Sequence, residues 1–479
     1  MKKNFEYLKI EILHHLKQKK LSKYYYTKKK RSSPHLITKF FYSILNFLKF
    51  ILFLLKNFLL IFKFTFLQII SKKKKKSVLV FVAEKEIDQI PNLLIYKIFK
   101  EINISFTIIN ISKKKALFKD RKNKVEFKFE NYFSIDVFFK FLINLIFFLK
   151  DYIFFLKKND YITISFFYLV KIYLKAIYDC SIINKINNHF NPDFIYINQN
   201  SLSKQNIINS FKNINHKIQI IGNSFNGLKL SNQILTAEYL WNNIDHLLCY
   251  GQMDLDEFNK KKRKKNYLFP PKKIHAVGSP RDYIFLKKNR FKRRNNNLIK
   301  ILFIKSNPNM QYNIDQKALK LVLKTINEHK FKNEIFLTIK DRAQLNQQSN
   351  IDKIKKNYSG NIRVVNSEKE LTEKLICEND LIFGTYSTSF VYQSIFFKKP
   401  IIQILGNKIY WANLSKENLI VCNNKHDLNK QITNFYYNKK LFINNYRKKI
   451  IKLRYKIFES GNLENKLKKR LHKIYVEAQ

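Results

Sequence analysis

The sequence predicts an α/β protein made of two parallel-sheet domains, and three observations carry that expectation. From residue 77 onward, short β-branched runs alternate with amphipathic stretches of roughly 10–18 residues, the pattern of stacked βαβ units. At 479 residues the chain is long enough for more than one core. A basic stretch, Asn259–Lys273 with Pro270 and Pro271, parts the strand–helix series into two.

Taken in order, residues 1–35 are basic and polar, and 37–70 are strongly apolar up to a lysine run at Lys72–Lys76. The longest uncharged stretch there is nine residues, Phe40–Leu48, short of the roughly 18 that a membrane-spanning helix needs. Lys49, Lys56 and Lys63 recur every seven residues and make one stripe on a helix. Such a helix either lies in a membrane interface or packs on a domain with its lysines reaching outward. No small-residue cleavage site follows, so a secretory signal peptide is not expected. The first strand–helix series then runs Ser77–Ala83, a helix near 87–101, Ile104–Ile111, long helices over 134–158 and 164–189, Asp193–Gln199, a helix near 203–213, Lys217–Gly222 and His246–Gly251. The second runs Lys273–Gly278, Lys300–Ser306, a helix near 313–328, Glu334–Lys340, Asn361–Val365, Asp380–Thr385, a helix over 387–397, Pro400–Leu405, Leu419–Cys422 and terminal helices. The expected division is a membrane-associating segment 1–75, a Rossmann-like domain 76–265 and a second, 266–479, facing it across a cleft.

The net charge of +56 invites a nucleic-acid reading, but 79 lysines stand against 12 arginines. Base-edge and bidentate phosphate recognition favour arginine. Lys, Asn, Ile, Phe and Tyr, which AT-rich codons encode, are inflated together. A specific nucleic-acid partner is therefore not expected, whereas adhesion to an anionic membrane surface is. Cys180, Cys249, Cys377 and Cys422 lie far apart without a CxxC, which excludes a zinc ribbon and a disulfide framework. They read as reduced thiols of a protein on the cytoplasmic face of the membrane.

All eight glycines fall after residue 220, and Gly222, Gly251, Gly278 and Gly384 each end an expected strand. Such positions call for positive φ or close backbone approach, and strand C-termini are where doubly wound sheets bind ligands. The sharpest motif is Gly384-Thr385-Tyr386-Ser387-Thr388-Ser389, between an apolar strand and an apolar helix. A strand-to-helix turn rich in hydroxyls offers free N–H groups and the positive helix end to an anion, with Thr385, Ser387 and Thr388 as added donors. Gly278-Ser279-Pro280-Arg281-Asp282, Lys305-Ser306-Asn307 and Lys340-Asp341-Arg342 end three further strands of the same half. Asp254-Leu255-Asp256 has metal-pair spacing, but Asp254 opens a helix, and no metal is expected.

The segments His275–Tyr283, Leu337–Arg342 and Asp380–Ile402 resemble the donor-binding half of GT-B type glycosyltransferases of bacterial surface-carbohydrate and capsule synthesis. These include the CDP-glycerol glycerophosphotransferase-like and polysialyltransferase-like groups. The resemblance covers roughly 190–440. It implies transfer of a sugar or polyol phosphate from a nucleotide-activated donor to a glycan or lipid-linked acceptor, without a further cofactor. It places the donor phosphates at Gly278, Ser279, Arg281, Lys340, Arg342, Gly384, Thr385, Ser387 and Thr388. Many relatives carry an acidic residue in the helix after the turn. Gln393 stands there in this chain, assigned to the donor ribose or sugar. Asn223 and Ser224 are expected on the acceptor side, and Glu84, Glu238 and His246 are the candidate bases for the acceptor hydroxyl. A nucleotide-sugar 2-epimerase on the same fold, and an inactive scaffold that has kept the fold, are the alternative readings.

Overall fold

The computed structural model describes residues 78–82, 90–110, 126–128, 182–198, 202–223, 243–263, 271–288, 298–305, 308–341, 358, 360–366, 370–385, 389–405, 420–458 and 462–477. The expected N-terminal segment 1–75 and helix 134–158 lie outside them. Two all-parallel sheets organise the rest.

The first sheet contains β1 (Val78–Val82), β2 (Phe106–Asn110), β3 (Glu126–Lys128), β4 (Phe194–Asn198), β5 (Gln219–Asn223), β6 (His246–Cys249) and β7 (Lys273–Ala276), in the order β3-β2-β1-β4-β5-β6-β7. The second contains β8 (Ile299–Ile304), β9 (Ile335–Asp341), β10 (Asn361–Asn366), β11 (Leu381–Gly384), β12 (Ile401–Ile404) and β13 (Ile420–Cys422), in the order β10-β9-β8-β11-β12-β13. Strands such as Phe106–Asn110 and Phe194–Asn198 are buried at every position. That is why they read as continuous apolar runs: helices cover both faces of a parallel sheet. In each sheet the chain winds outward from one central strand, then restarts on its other side. The order reverses between β1 and β4, and again between β8 and β11.

The first-series helices are α1 (Ile90–Glu101), α2 (Leu202–Ile214), α3 (Gln252–Arg263) and α4 (Pro280–Lys288). The second series has α5 (Pro308–Asn327), α6 (Thr372–Glu378), α7 (Ser389–Phe396) and α8 (Lys425–Tyr437). Two terminal helices follow, α9 (Lys439–Ile457) and α10 (Leu463–Val476). Asn462 opens α10 as its N-cap, accepting from the Asn465 N–H at 3.3 Å.

The expected boundary at 265/266 is corrected at both ends. Lys273–Ala276 was assigned to the second series, yet it pairs in parallel with His246–Cys249 and forms the edge of the first sheet. Its sequence cannot show this, because either sheet would accept a short edge strand. The second correction concerns α10, whose Leu463, Leu467, Leu471 and Ile474 sit in the core of the first sheet with Val78, Val80, Ile108 and Phe194. Lys468–Glu101 at 3.1 Å and Lys273–Glu477 at 3.1 Å add ion pairs across the same contact. The apolar stripe dominates. Each fully buried Leu or Ile is worth about 1.5–3 kcal/mol, whereas exposed ion pairs rarely exceed about 1 kcal/mol.

α9 packs from the other side. Its buried stripe, Phe442, Tyr446, Ile450, Leu453 and Ile457, divides between two cores of the second sheet. One of those cores also holds Tyr250 and Met253 of the first series. The end of α9 and the start of α10 thus touch both halves, and two strand-end glycines receive them. A Cβ on Gly251 would stand 2.5 Å from the Ile457 carbonyl oxygen. One on Gly278, whose φ is +88°, would stand 2.5 Å from Leu463 Cδ1. Gly251→Ala should lower stability by about 1–3 kcal/mol, since main chain must move to admit the methyl group. Gly278→Ala should lose a similar amount through backbone strain and the Leu463 clash. Urea unfolding of both variants measures this; a midpoint unchanged in either would refute the packing account for that glycine.

Candidate functional site

Because all strands of the second sheet run the same way, their C-terminal ends share one edge. The reversal between β8 and β11 opens a crevice there, the position at which doubly wound sheets take ligands. β8 leads into Lys305, β11 into Thr385 and β12 into Leu405, so the expected Gly384-Thr385 turn lies beside the crevice. α7 begins a few residues later, at Ser389.

The side chains at this edge form a linked polar set. The Thr385 hydroxyl donates to the carboxylate of Asp315 on α5, and both residues are buried. Gln403 on β12 donates from Nε2 to the Thr385 carbonyl at 3.3 Å, tying the turn to the neighbouring strand. The Lys340 ammonium donates to the Glu370 carbonyl at 3.4 Å and to the Thr372 hydroxyl, holding the start of α6 against the end of β9. Gln393 on α7 donates to the Glu373 carboxylate of α6 at 2.9 Å, and its own Oε1 is buried without a partner among the described residues. The Lys305 N–H donates to the Lys340 carbonyl at 3.2 Å, which keeps the ends of β8 and β9 together. Asp315, Glu373 and Gln403 were missed in the sequence. The signal available was scarcity: with 35 acidic residues against 91 basic ones, an acid inside an apolar-periodic helix is unusual.

Several expected roles change with this geometry. The Thr385 hydroxyl already donates to the Asp315 carboxylate. Lys340 is 6% exposed and spent on α6. Ser279 is fully buried, and its hydroxyl donates to Asp282 Oδ2 at 2.6 Å in the first turn of α4, a helix-opening role. Gly384 makes room for a ring, not a phosphate: a Cβ there would stand 2.4 Å from Phe390 Cζ. Gly278 likewise admits Leu463. Gln393 meets Glu373 of the adjacent helix, so the acidic group at this place comes from α6. Arg281 is the second residue of α4. Arg342, Ser387, Thr388, Glu84, Glu238 and Ser224 lie outside the described residues.

On the first sheet, Asn223 ends β5 beside Asn198, which ends β4. Both are buried, and Asn223 donates to the Tyr196 hydroxyl at 2.8 Å. His246 lies elsewhere, since it begins β6, three residues before the strand's C-terminal end. Its Nδ1 lies 3.1 Å from His275 Nε2, with the rings stacked 5.4 Å apart. Burial pushes both imidazoles down, His275 to about 4, with the Arg470 charge adding to the effect on His275. Asp254 accepts from the Tyr250 N–H at 3.0 Å in the first turn of α3, the helix-opening role expected of it.

No family model matches the chain, and no curated protein matches it. Solved structures do. The UDP-GlcNAc 2-epimerase of Neisseria meningitidis, bound to UDP-GlcNAc, aligns over 84% of this chain and 100% of its own, with 11% identity and a TM-score of 0.52. The UDP-GlcNAc 2-epimerase of Methanocaldococcus jannaschii covers 84% of this chain and 99% of its own, with 14% identity and a TM-score of 0.51. S. aureus MnaA, solved with UDP, covers 84% and 98%, with 10% identity and a TM-score of 0.51. The chain has their fold: two parallel, helix-covered sheets in the GT-B arrangement.

Two predictions follow from these contacts. Asp315→Ala removes the acceptor of the buried Thr385 hydroxyl and should cost about 1–3 kcal/mol, with Thr385→Val largely restoring stability in the double variant. A double variant no more stable than Asp315→Ala alone would deny the pairing. The second concerns pH. His275 binds its proton more weakly folded than unfolded, so its contribution is present above about pH 6.5 and is lost as pH falls toward about 4. His275→Gln should flatten the fall in stability across that window, measured by thermal unfolding at stepped pH. A slope equal to the parent's would overturn the assignment.

Proposed function

We propose that this chain is a glycosyltransferase that moves a sugar or polyol phosphate from a nucleotide-activated donor to a surface-polysaccharide or lipid-linked acceptor. The observation carrying the reading is the β8/β11 reversal, with Thr385 following β11 and Ser389 starting α7 beside it. Main-chain N–H groups and the positive end of α7 would meet the donor diphosphate, with Ser387 and Thr388 as side-chain donors. Electrostatic stabilisation of the departing nucleotide is the largest contribution such a site can make, and it asks for no metal or added cofactor. Asp315 and Gln403 act indirectly by holding Thr385 in place. The first sheet would take the acceptor on its own C-terminal edge, near Asn198 and Asn223, with Glu84 as the candidate base. The enzyme would work on the cytoplasmic face of the membrane, where a lipid-linked acceptor is presented.

A second reading is a UDP-sugar 2-epimerase, favoured by the likeness to solved UDP-GlcNAc 2-epimerases with TM-scores above 0.5. Product analysis separates the two. A transferase releases nucleotide in proportion to added acceptor, whereas an epimerase changes the sugar with no acceptor present. The donor site is tested by calorimetry with UDP-GlcNAc, UDP-glucose and CDP-glycerol. The double variant Ser387→Ala/Thr388→Ala should weaken binding of the preferred nucleotide at least tenfold while circular dichroism stays unchanged. Equal affinity in the variant would remove the turn from the site.

A further inference from the structure

α9 presents a second face that no other described element covers. Opposite its buried stripe, Leu441, Ile451 and Tyr455 are 59%, 50% and 54% exposed. Lone exposed apolar residues are ordinary, but these three are spaced so that they fall on one side of the helix, with Asn444 and Lys448 between them. Lys440 and Arg447 flank that side along one edge and Lys452 along the other. Counting along Lys439–Ile457 gives eight basic residues and no acidic one. Lys439 is spent on Asp380 at 3.0 Å, and the Arg454 guanidinium lies over the Phe396 ring. Lys440, Arg447, Lys448 and Lys452 have no ion pair among the described residues and are exposed.

We propose that this face of α9 is a docking surface for an anionic lipid membrane. The argument is complementarity of two kinds at once. A helix lying in a lipid interface sets apolar side chains toward the acyl boundary and cations toward the headgroups, and this face carries both in that relation. A second copy of the chain fits poorly, since stacking two such faces would oppose unpaired cations with no acid on α9 to answer them. A nucleic acid would satisfy the cations but leave Leu441, Ile451 and Tyr455 without a partner. The proposal adds to the peripheral location of the preceding reading but does not depend on the donor site.

The apolar N-terminal stretch is itself expected to meet membranes, so the test reads α9 directly, on the full chain. Tyr455→Trp adds one indole, whose emission is taken as the difference from the parent. With vesicles of 30% phosphatidylglycerol in phosphatidylcholine, it should shift to the blue and be quenched by brominated acyl chains. Phosphatidylcholine alone should give neither effect. In parallel, Leu441→Ser/Ile451→Ser/Tyr455→Ser should reduce co-sedimentation with the anionic vesicles at least tenfold, with its thermal transition unchanged. An added indole blind to lipid, or a triple variant retained like the parent, overturns the proposal even where the chain still sediments. So does a triple variant whose oligomeric state or RNA retention changes while its vesicle binding does not. Nucleotide-sugar affinity of the same variants reports on the enzymatic reading separately.

Discussion

The close approach of the end of α9 and the start of α10 to two strand ends is the contact on which the rest of the molecule depends. Ile457 lays its carbonyl against Gly251, and Leu463 fills the space beside Gly278, at the ends of two adjacent strands of the first sheet. From there α9 is built into the cores of the second sheet and α10 into the core of the first. Apolar burial supplies the energy and the glycines supply the distance. With Cβ atoms at those two positions the helices would stand off by more than dispersion tolerates, because contact energy falls steeply over half an ångström. The two sheets therefore owe part of their relation to residues at the C-terminal edge of the first.

This contact also explains what was legible in the sequence. Segments such as 194–197 and 301–304 were readable because burial on both faces leaves an unbroken apolar run, a local signal. The glycines were readable as places of close approach, and Gly278 does have positive φ. What approaches them was not readable: Ile457, Leu463 and Phe390 lie at separations that no periodicity encodes, and a helix needs the same room as a phosphate. The edge strand Lys273–Ala276 was placed on the wrong sheet for a related reason. Pairing partners are a property of topology, and a four-residue strand carries too little pattern to choose between two sheets.

Within the candidate site, hydroxyls proved easier to find than to assign. A threonine beside a helix start satisfies either an anion or a neighbouring carboxylate, and Thr385 answers Asp315. Burying that carboxylate is costly unless its oxygens are hydrogen-bonded, so its presence 3% exposed at the crevice needs the turn as much as the turn needs it. Glu373 and Gln393 repeat the arrangement between α6 and α7. Acids thus shape the edge from beneath.

The charge of the chain takes on a different meaning once position is known. A surface with 91 basic residues makes any single lysine uninformative, including those at strand ends. Information returns only where charge is combined with something the composition does not produce by itself. At the second sheet that something is a buried acid. On α9 it is an outward apolar stripe in register with cations that have no ion pair among the described residues. Such a face costs the isolated protein exposed hydrophobic area, and a lipid interface would answer both its charges and its apolar side chains.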